Sequence, residues 1–95
     1  MKIMIMKSAH KDLEIFFEYY RDQGNLKTAG TLIKSIYQKI ERLSKYPDSG
    51  RMVPEFQSQY LRELIYPPFR IIYHREPNHI SVIRIWRSER PLKID

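Results

Sequence analysis

The sequence predicts an α+β domain in which an N-terminal strand and an antiparallel helical hairpin pack on an antiparallel β-sheet. Residues 60 to 90, YLRELIYPPFRIIYHREPNHISVIRIWRSER, hold three short runs rich in β-branched and aromatic residues. These runs are broken at Pro67-Pro68 and at Glu76-Pro77-Asn78, where proline and asparagine favour turns. Upstream, apolar residues recur at helical spacing in two stretches separated by Gly24. A chain of 95 residues has room for one core, so helices and strands are expected to share it as a single domain over residues 1–95.

Lys2 to Met6, KIMIM, fits an edge or central strand of the same sheet. Ser8 reads as the N-cap of the first helix, with Asp12 and Glu14 placed early, where the helix dipole favours negative charge. Leu13, Phe16, Phe17 and Tyr20 stand at i, i+3, i+4 and i+7 and form one apolar stripe, and Gln23-Gly24 marks its end. The second helix is expected from Leu26–Thr28 to about Tyr46, because Ala29, Leu32, Ile33, Ile36, Ile40 and Leu43 repeat the spacing. Lys34, Gln38, Lys39, Glu41, Arg42 and Lys45 fill its other face, and Pro47 stops it. The short link makes an antiparallel hairpin that needs the sheet as its apolar partner.

Pro47 to Gln59 is a polar connector containing Gly50, Arg51, Pro54 and Glu55. Along the strands, alternation puts Phe69, Ile71, Tyr73 and Arg75 on one side and Arg70, Ile72 and His74 on the other. Ile83 and Ile85 are read as facing the core, which leaves Arg84 and Trp86 on the open side. Pro91 to Asp95 is too short to add an element.

An apolar fraction of 42% with 13% aromatics excludes disorder as the main state. There is no cysteine, so neither a disulfide framework nor a thiolate metal site is possible, which fits a reducing cytoplasm. His10, His74 and His79 match no zinc spacing, and no metal or cofactor is expected. The apolar run at the N-terminus is too short for a signal peptide, and no stretch approaches the ~20 apolar residues of a membrane span. A cytoplasmic protein with no membrane partner is the expectation.

The net charge of +6 is shared evenly between the halves, nine basic against six acidic residues up to Gly50 and eight against five afterwards. The type of base is not shared evenly. Seven of eight lysines precede Gly50, whereas seven of nine arginines follow it. Lysine suits a solvated helix face, while the planar guanidinium fork suits carboxylates, phosphates and stacked bases. The basic sheet is therefore the candidate functional surface. Arg51, Arg62, Arg70, Arg84, Trp86, Arg87 and Arg90 are its candidate binding residues, since arginine and tryptophan are favoured interface anchors. Candidates for acid, base or charge stabilisation are Arg62, Arg70, Arg87, Arg90 and His74, together with Glu55, Glu63, Tyr73 and Glu89. Glu63 and Glu89 also have a plainer reading, as partners in surface ion pairs that contribute little.

The segments A-H-K-D-L-E-I-F-F-E-Y-Y, L-S-K-Y-P-D-S-G-R, R-E-L-I-Y-P-P-F-R-I-I-Y and V-I-R-I-W-R-S-E-R follow one another over nearly the whole chain. In that order they resemble the RelE/ParE superfamily of bacterial toxins. The resemblance implies the toxin half of a type II toxin-antitoxin module, held in a hetero-oligomer by a cognate antitoxin protein. Relatives of RelE cut messenger RNA on the ribosome, and relatives of ParE poison DNA gyrase, so the fold alone does not choose. RNA cleavage needs a proton carrier, a task for which arginine is poorly suited. Arg87 stands where many relatives with a W-H-x-x-R pattern have histidine, and no aromatic follows Arg90. A ParE-like inhibitor of DNA gyrase is therefore preferred over a ribosome-dependent mRNA endonuclease. A non-toxic basic nucleic-acid-binding module is a further alternative, permitted by the pI of 9.7.

Overall fold

Five strands and two helices follow in the order β1 (Lys2–Ile5), α1 (Lys7–Asp22), α2 (Leu26–Arg42), β2 (Arg51–Met52), β3 (Leu61–Tyr66), β4 (Phe69–Arg75) and β5 (His79–Arg87). The structure is a computed structural model and describes residues 1–88. The strands form one sheet in the order β1-β5-β4-β3-β2. The expected meander of three strands is there, with β3–β4 and β4–β5 antiparallel. The sheet as a whole is mixed rather than antiparallel. β1 lies parallel to β5, pairing Lys2 with His79 through Ile5 with Val82, which the two intervening helices make possible as a crossover. The connector also supplies a two-residue strand, β2, on the opposite edge.

Two elements end where the sequence did not predict. Ser8 is not the N-cap of α1, because β1 runs into the helix through Met6, whose extended backbone takes the cap position. Met6 still donates its N–H to the Val82 carbonyl as a strand would, while its own carbonyl accepts from Ala9 and His10. Ser8 is drawn instead to the rim of β5, where its hydroxyl donates to the Ile83 carbonyl. The second difference is that α2 closes at Arg42, short of Tyr46. Leu43 is fully buried, and Ser44 and Lys45 donate back to Glu41 and Arg42 in the tighter i−3 pattern that helix ends adopt. Gly24, at φ +75°, takes the left-handed position that ends α1, as its glycine implied.

The core lies between the hairpin and one sheet face. Ala9 and Leu13 of α1 and Ile36, Ile40 and Leu43 at and beyond α2 meet Phe69, Ile71, Tyr73, Ile80, Val82 and Ile85. Phe16 of α1 tilts onto Phe69 at 4.5 Å between ring centroids. A smaller cluster on the other face joins Val53, Leu61 and Ile72, with Ile83 and Trp86 packed against it. Ile83 therefore does not share a face with Ile85. The register between β4 and β5 shifts between Ile72 and Tyr73, so that Tyr73 opposes Val82 while Ile72 opposes Arg84, and Ile83 is the extra residue of a bulge. Ile80 and Val82 before the bulge and Ile85 after it all reach the helices. Arg84 and Trp86 are left on the open side as expected.

Candidate functional site

Register sorts the open face into rows. One crosses the sheet as Arg51, Glu63, Ile72 and Arg84, and the next as Ile65, Arg70 and Trp86. Glu63 has no exposed side-chain area, and its two carboxylate oxygens divide between two arginines. Arg51 Nε donates to Glu63 Oε2 at 2.6 Å, and Arg70 Nε donates to Oε1 at 2.6 Å. Arg70 turns the far side of its fork to Glu55, placing Nη1 and Nη2 at 2.8 and 2.9 Å from the two carboxylate oxygens. This bidentate geometry is the strong form of the pair. The hydrogen bond from Arg70 holds the Glu55 carboxyl below its ordinary value of 4.5. Glu55 and Glu63 together raise the Arg70 pKa. The expectation that Glu63 makes a surface pair of little weight is therefore corrected, since a fully buried carboxylate requires its partners. The tie from Arg70 to Glu55 also fastens the β2–β3 connector to the sheet.

Arg62 is not on this face. It opposes Tyr73 in the register and so faces the helices, where its guanidinium donates to the carbonyls of Gly50, Asp48 and Gln59. Arg75 joins it there, donating to Asp48 Oδ1 at 2.9 Å. That hydrogen bond, with the nearby Arg62 charge, lowers the Asp48 pKa from 3.8. Both arginines brace the loop between α2 and β2. Tyr73 completes the brace from below: its hydroxyl donates to the Pro47 carbonyl at 2.9 Å and accepts the Gly50 N–H at 2.9 Å. Burial pushes this phenol up, away from proton exchange near neutrality.

The far rim belongs to β5. Beyond Val82 the strand has no β1 partner, and α1 takes over its edge. Asp12 Oδ2 accepts from the Ile85 N–H at 2.9 Å and from Arg84 Nε at 2.8 Å, while Oδ1 accepts from Arg84 Nη2 at 3.0 Å. The Arg84 guanidinium lies 4.5 Å from the centre of the Trp86 ring, a cation–π contact. Asp12, Ile15, Phe16, Arg84, Ile85, Trp86 and Arg87 surround a recess of about 150 Å³. His74 stands apart in the row with Leu61 and Ser81, and its Nδ1 is 2.5 Å from Glu76 Oε1. Glu89 and Arg90 lie outside the described residues.

The structure thus brings together Arg51, Arg70, Glu55 and Glu63 at one end of the open face and Arg84, Trp86 and Arg87 at the other. It sends Arg62 elsewhere and keeps His74 apart from both. Sequence reasoning missed a second basic feature. Lys39, Arg42 and Lys45, spaced three apart at the end of α2, converge with Tyr46, Leu64 and Ile65 on a cleft of about 660 Å³. Their spacing was a signal, but it reads equally as a solvated helix face. No helix among the described residues is long and apolar enough to cross a membrane.

The family model for the ParE toxin of type II toxin-antitoxin system, parDE, matches residues 3–92. No curated protein matches the sequence. Among solved structures, one titled "Chromosomal ParDE TA system from P. aeruginosa" shares the fold with a TM-score of 0.79 at 21% identity, covering 94% of this chain and 97% of that one. With nearly its full length matched by the family model, the chain belongs to the ParE toxin family of type II toxin-antitoxin systems.

Proposed function

We propose that this chain acts in the cytoplasm as a toxin that inhibits DNA gyrase, and that a cognate antitoxin neutralises it in a hetero-oligomer. The observation that carries the choice of target is the engagement of the acid and base candidates among the described residues. Glu55 and Glu63 are consumed by Arg51 and Arg70, Tyr73 is buried in a structural brace, and His74 is paired with Glu76 away from the Arg84–Trp86 rim. RNA cleavage requires one group to take a proton and another to return it. These residues serve the fold instead, which favours a toxin that binds over one that cuts. In this reading the target-facing surface is the β5 rim, with Trp86 and Arg87, and Arg90 follows three residues on in sequence.

The test uses purified protein in two reactions, gyrase supercoiling of relaxed plasmid and translating ribosomes with labelled message. Loss of supercoiling with intact message is the expected result. Cleaved message with normal supercoiling overturns the proposal. Expression without the antitoxin is expected to arrest growth, and Arg87→Ala or Arg90→Ala is expected to relieve the arrest. Arrest that survives both substitutions moves the functional surface away from this rim.

A further inference from the structure

Asp12 is a charged side chain at a place where the fold asks only for a neutral acceptor. It is 8% exposed and stands on α1, beside the stretch of β5 that β1 does not reach. The Ile85 N–H there needs one oxygen, which Asp12 Oδ2 supplies at 2.9 Å. A hydroxyl or an amide would serve as well. One turn earlier on α1, Ser8 meets the same strand with a hydroxyl, on the Ile83 carbonyl. A carboxylate kept from water is costly unless a cation answers it, and replacing a buried ion pair by well-packed uncharged groups is often neutral for stability. Stability alone is therefore a poor reason for the charge.

What the charge adds is a grip on Arg84. Arg84 Nε and Nη2 donate to the two carboxylate oxygens at 2.8 and 3.0 Å, a two-point contact that fixes the plane of the guanidinium as well as its position. The guanidinium carbon in turn lies 4.5 Å from the centre of the Trp86 ring, and Trp86 packs against the cluster of Val53, Leu61 and Ile72. Asp12, Arg84 and Trp86 thus form a series that runs from α1 round the edge of β5 onto the open face. An arginine has many rotamers, and one that is ordered only when a partner arrives weakens the contact it makes. Arginine and tryptophan held together in advance avoid that loss.

We infer that Asp12 is a positioning residue of the toxin, which acts through Arg84: by locking the guanidinium onto the Trp86 ring it presets the surface that the target meets. The inference rests on the reading of the β5 rim as the target-facing surface. It does not depend on that target being gyrase.

The experiment separates the charge of Asp12 from its service to Ile85. Asp12→Asn keeps a carbonyl oxygen for the Ile85 N–H, but its amide nitrogen cannot accept from Arg84. The variant is expected to retain cooperative melting. Trp86 is the single tryptophan of the chain, so its fluorescence reports the rim directly. Asp12→Asn is expected to shift the emission and to raise its quenching by acrylamide, as the guanidinium leaves the ring. Growth arrest, titrated with inducer at matched protein levels, is expected to need about tenfold more toxin, the scale of one lost anchor contact. Arg84→Lys keeps the charge without the planar fork and is expected to lose as much. The double variant Asp12→Asn, Arg84→Lys is expected to be no weaker than either single one, because both act through one contact. Wild-type potency in Asp12→Asn, unaltered Trp86 fluorescence, or losses that add in the double variant would each overturn the inference. Arg84→Lys leaves the Ile85 bond intact, and full potency in that variant is decisive even if Asp12→Asn does not fold. A wild-type chain that arrests growth with normal supercoiling sinks the gyrase reading and leaves the inference standing. One that does not arrest growth sinks the toxin reading and the inference with it.

Discussion

Of the three glycines, Gly50 is the one with no room for a side chain. A Cβ there would lie 2.6 Å from the Tyr73 hydroxyl and 2.7 Å from the Glu63 carbonyl oxygen, and backbone at that distance cannot move aside cheaply. Gly50→Ala is expected to destabilise the protein by about 2 kcal/mol or more, as overpacking does. Tyr73→Phe removes the two hydrogen bonds made by the phenol and is expected to cost about 1–2 kcal/mol. Both values are read from urea unfolding. Acid tests the carboxylates at the same scale. Glu55 and Asp48 have folded pKa values depressed below their ordinary 4.5 and 3.8. A depressed carboxylate contributes stability that is fully present above its unfolded value and is lost as pH falls through the folded one. Stability is therefore expected to decline as pH drops below about 4.5, and further below about 3.8. The double variant Glu55→Gln, Asp48→Asn should flatten that acid limb, and an unchanged limb would assign it to other groups.

At the scale of elements, the contact that matters most is the one between α1 and the uncovered part of β5. Asp12 does the work of a neighbouring strand, accepting the Ile85 N–H while holding Arg84. Asp12→Ala leaves a buried donor unmet and is expected to cost about 2–3 kcal/mol, more than the loss of the Arg84 pair alone. A double-mutant cycle with Arg84→Ala should return a coupling of about 0.5–3 kcal/mol. Additive single effects would show that the ion pair carries none of the stability. This element pairing also marks the limit of what periodicity reveals. The helices and the three long strands were legible because their patterns are local and regular. The bulge that parts Ile83 from Ile85 was not, since no glycine or proline marks it and alternation alone gave both residues one face. Ser8 likewise satisfied every local rule for an N-cap while its hydroxyl was claimed by Ile83, 75 residues away in sequence.

For the whole molecule, one core of buried apolar side chains from both helices, Leu43 and the strands β4 and β5 carries the fold. Ile36, 1% exposed at its centre, is the place to test that dependence. Ile36→Asp puts an unpaired charge there and is expected to unfold the chain at ordinary temperature, abolishing both cooperative melting and growth arrest. It separates loss of structure from loss of the rim, because Arg87→Ala should lose toxicity and keep its melting transition. The basic sheet was visible in the sequence as composition, but its division of labour was not. Arg51 and Arg70 answer to Glu63 and Glu55, Arg62 and Arg75 to the Asp48 loop, and Arg84 to Asp12. Each partner comes from another element, so only the folded chain could assign them.

The parallel pairing of Lys2–Ile5 with His79–Val82 bears on the order in which the toxin is made. Among the described residues β1 has its sheet neighbour in β5, some seventy-five residues further along, so the core cannot close until both have been made. Pairing over that distance makes the parallel ladder a late and non-local step of folding, so a chain cut before β5 is expected to leave β1 without a partner and the hairpin without its sheet.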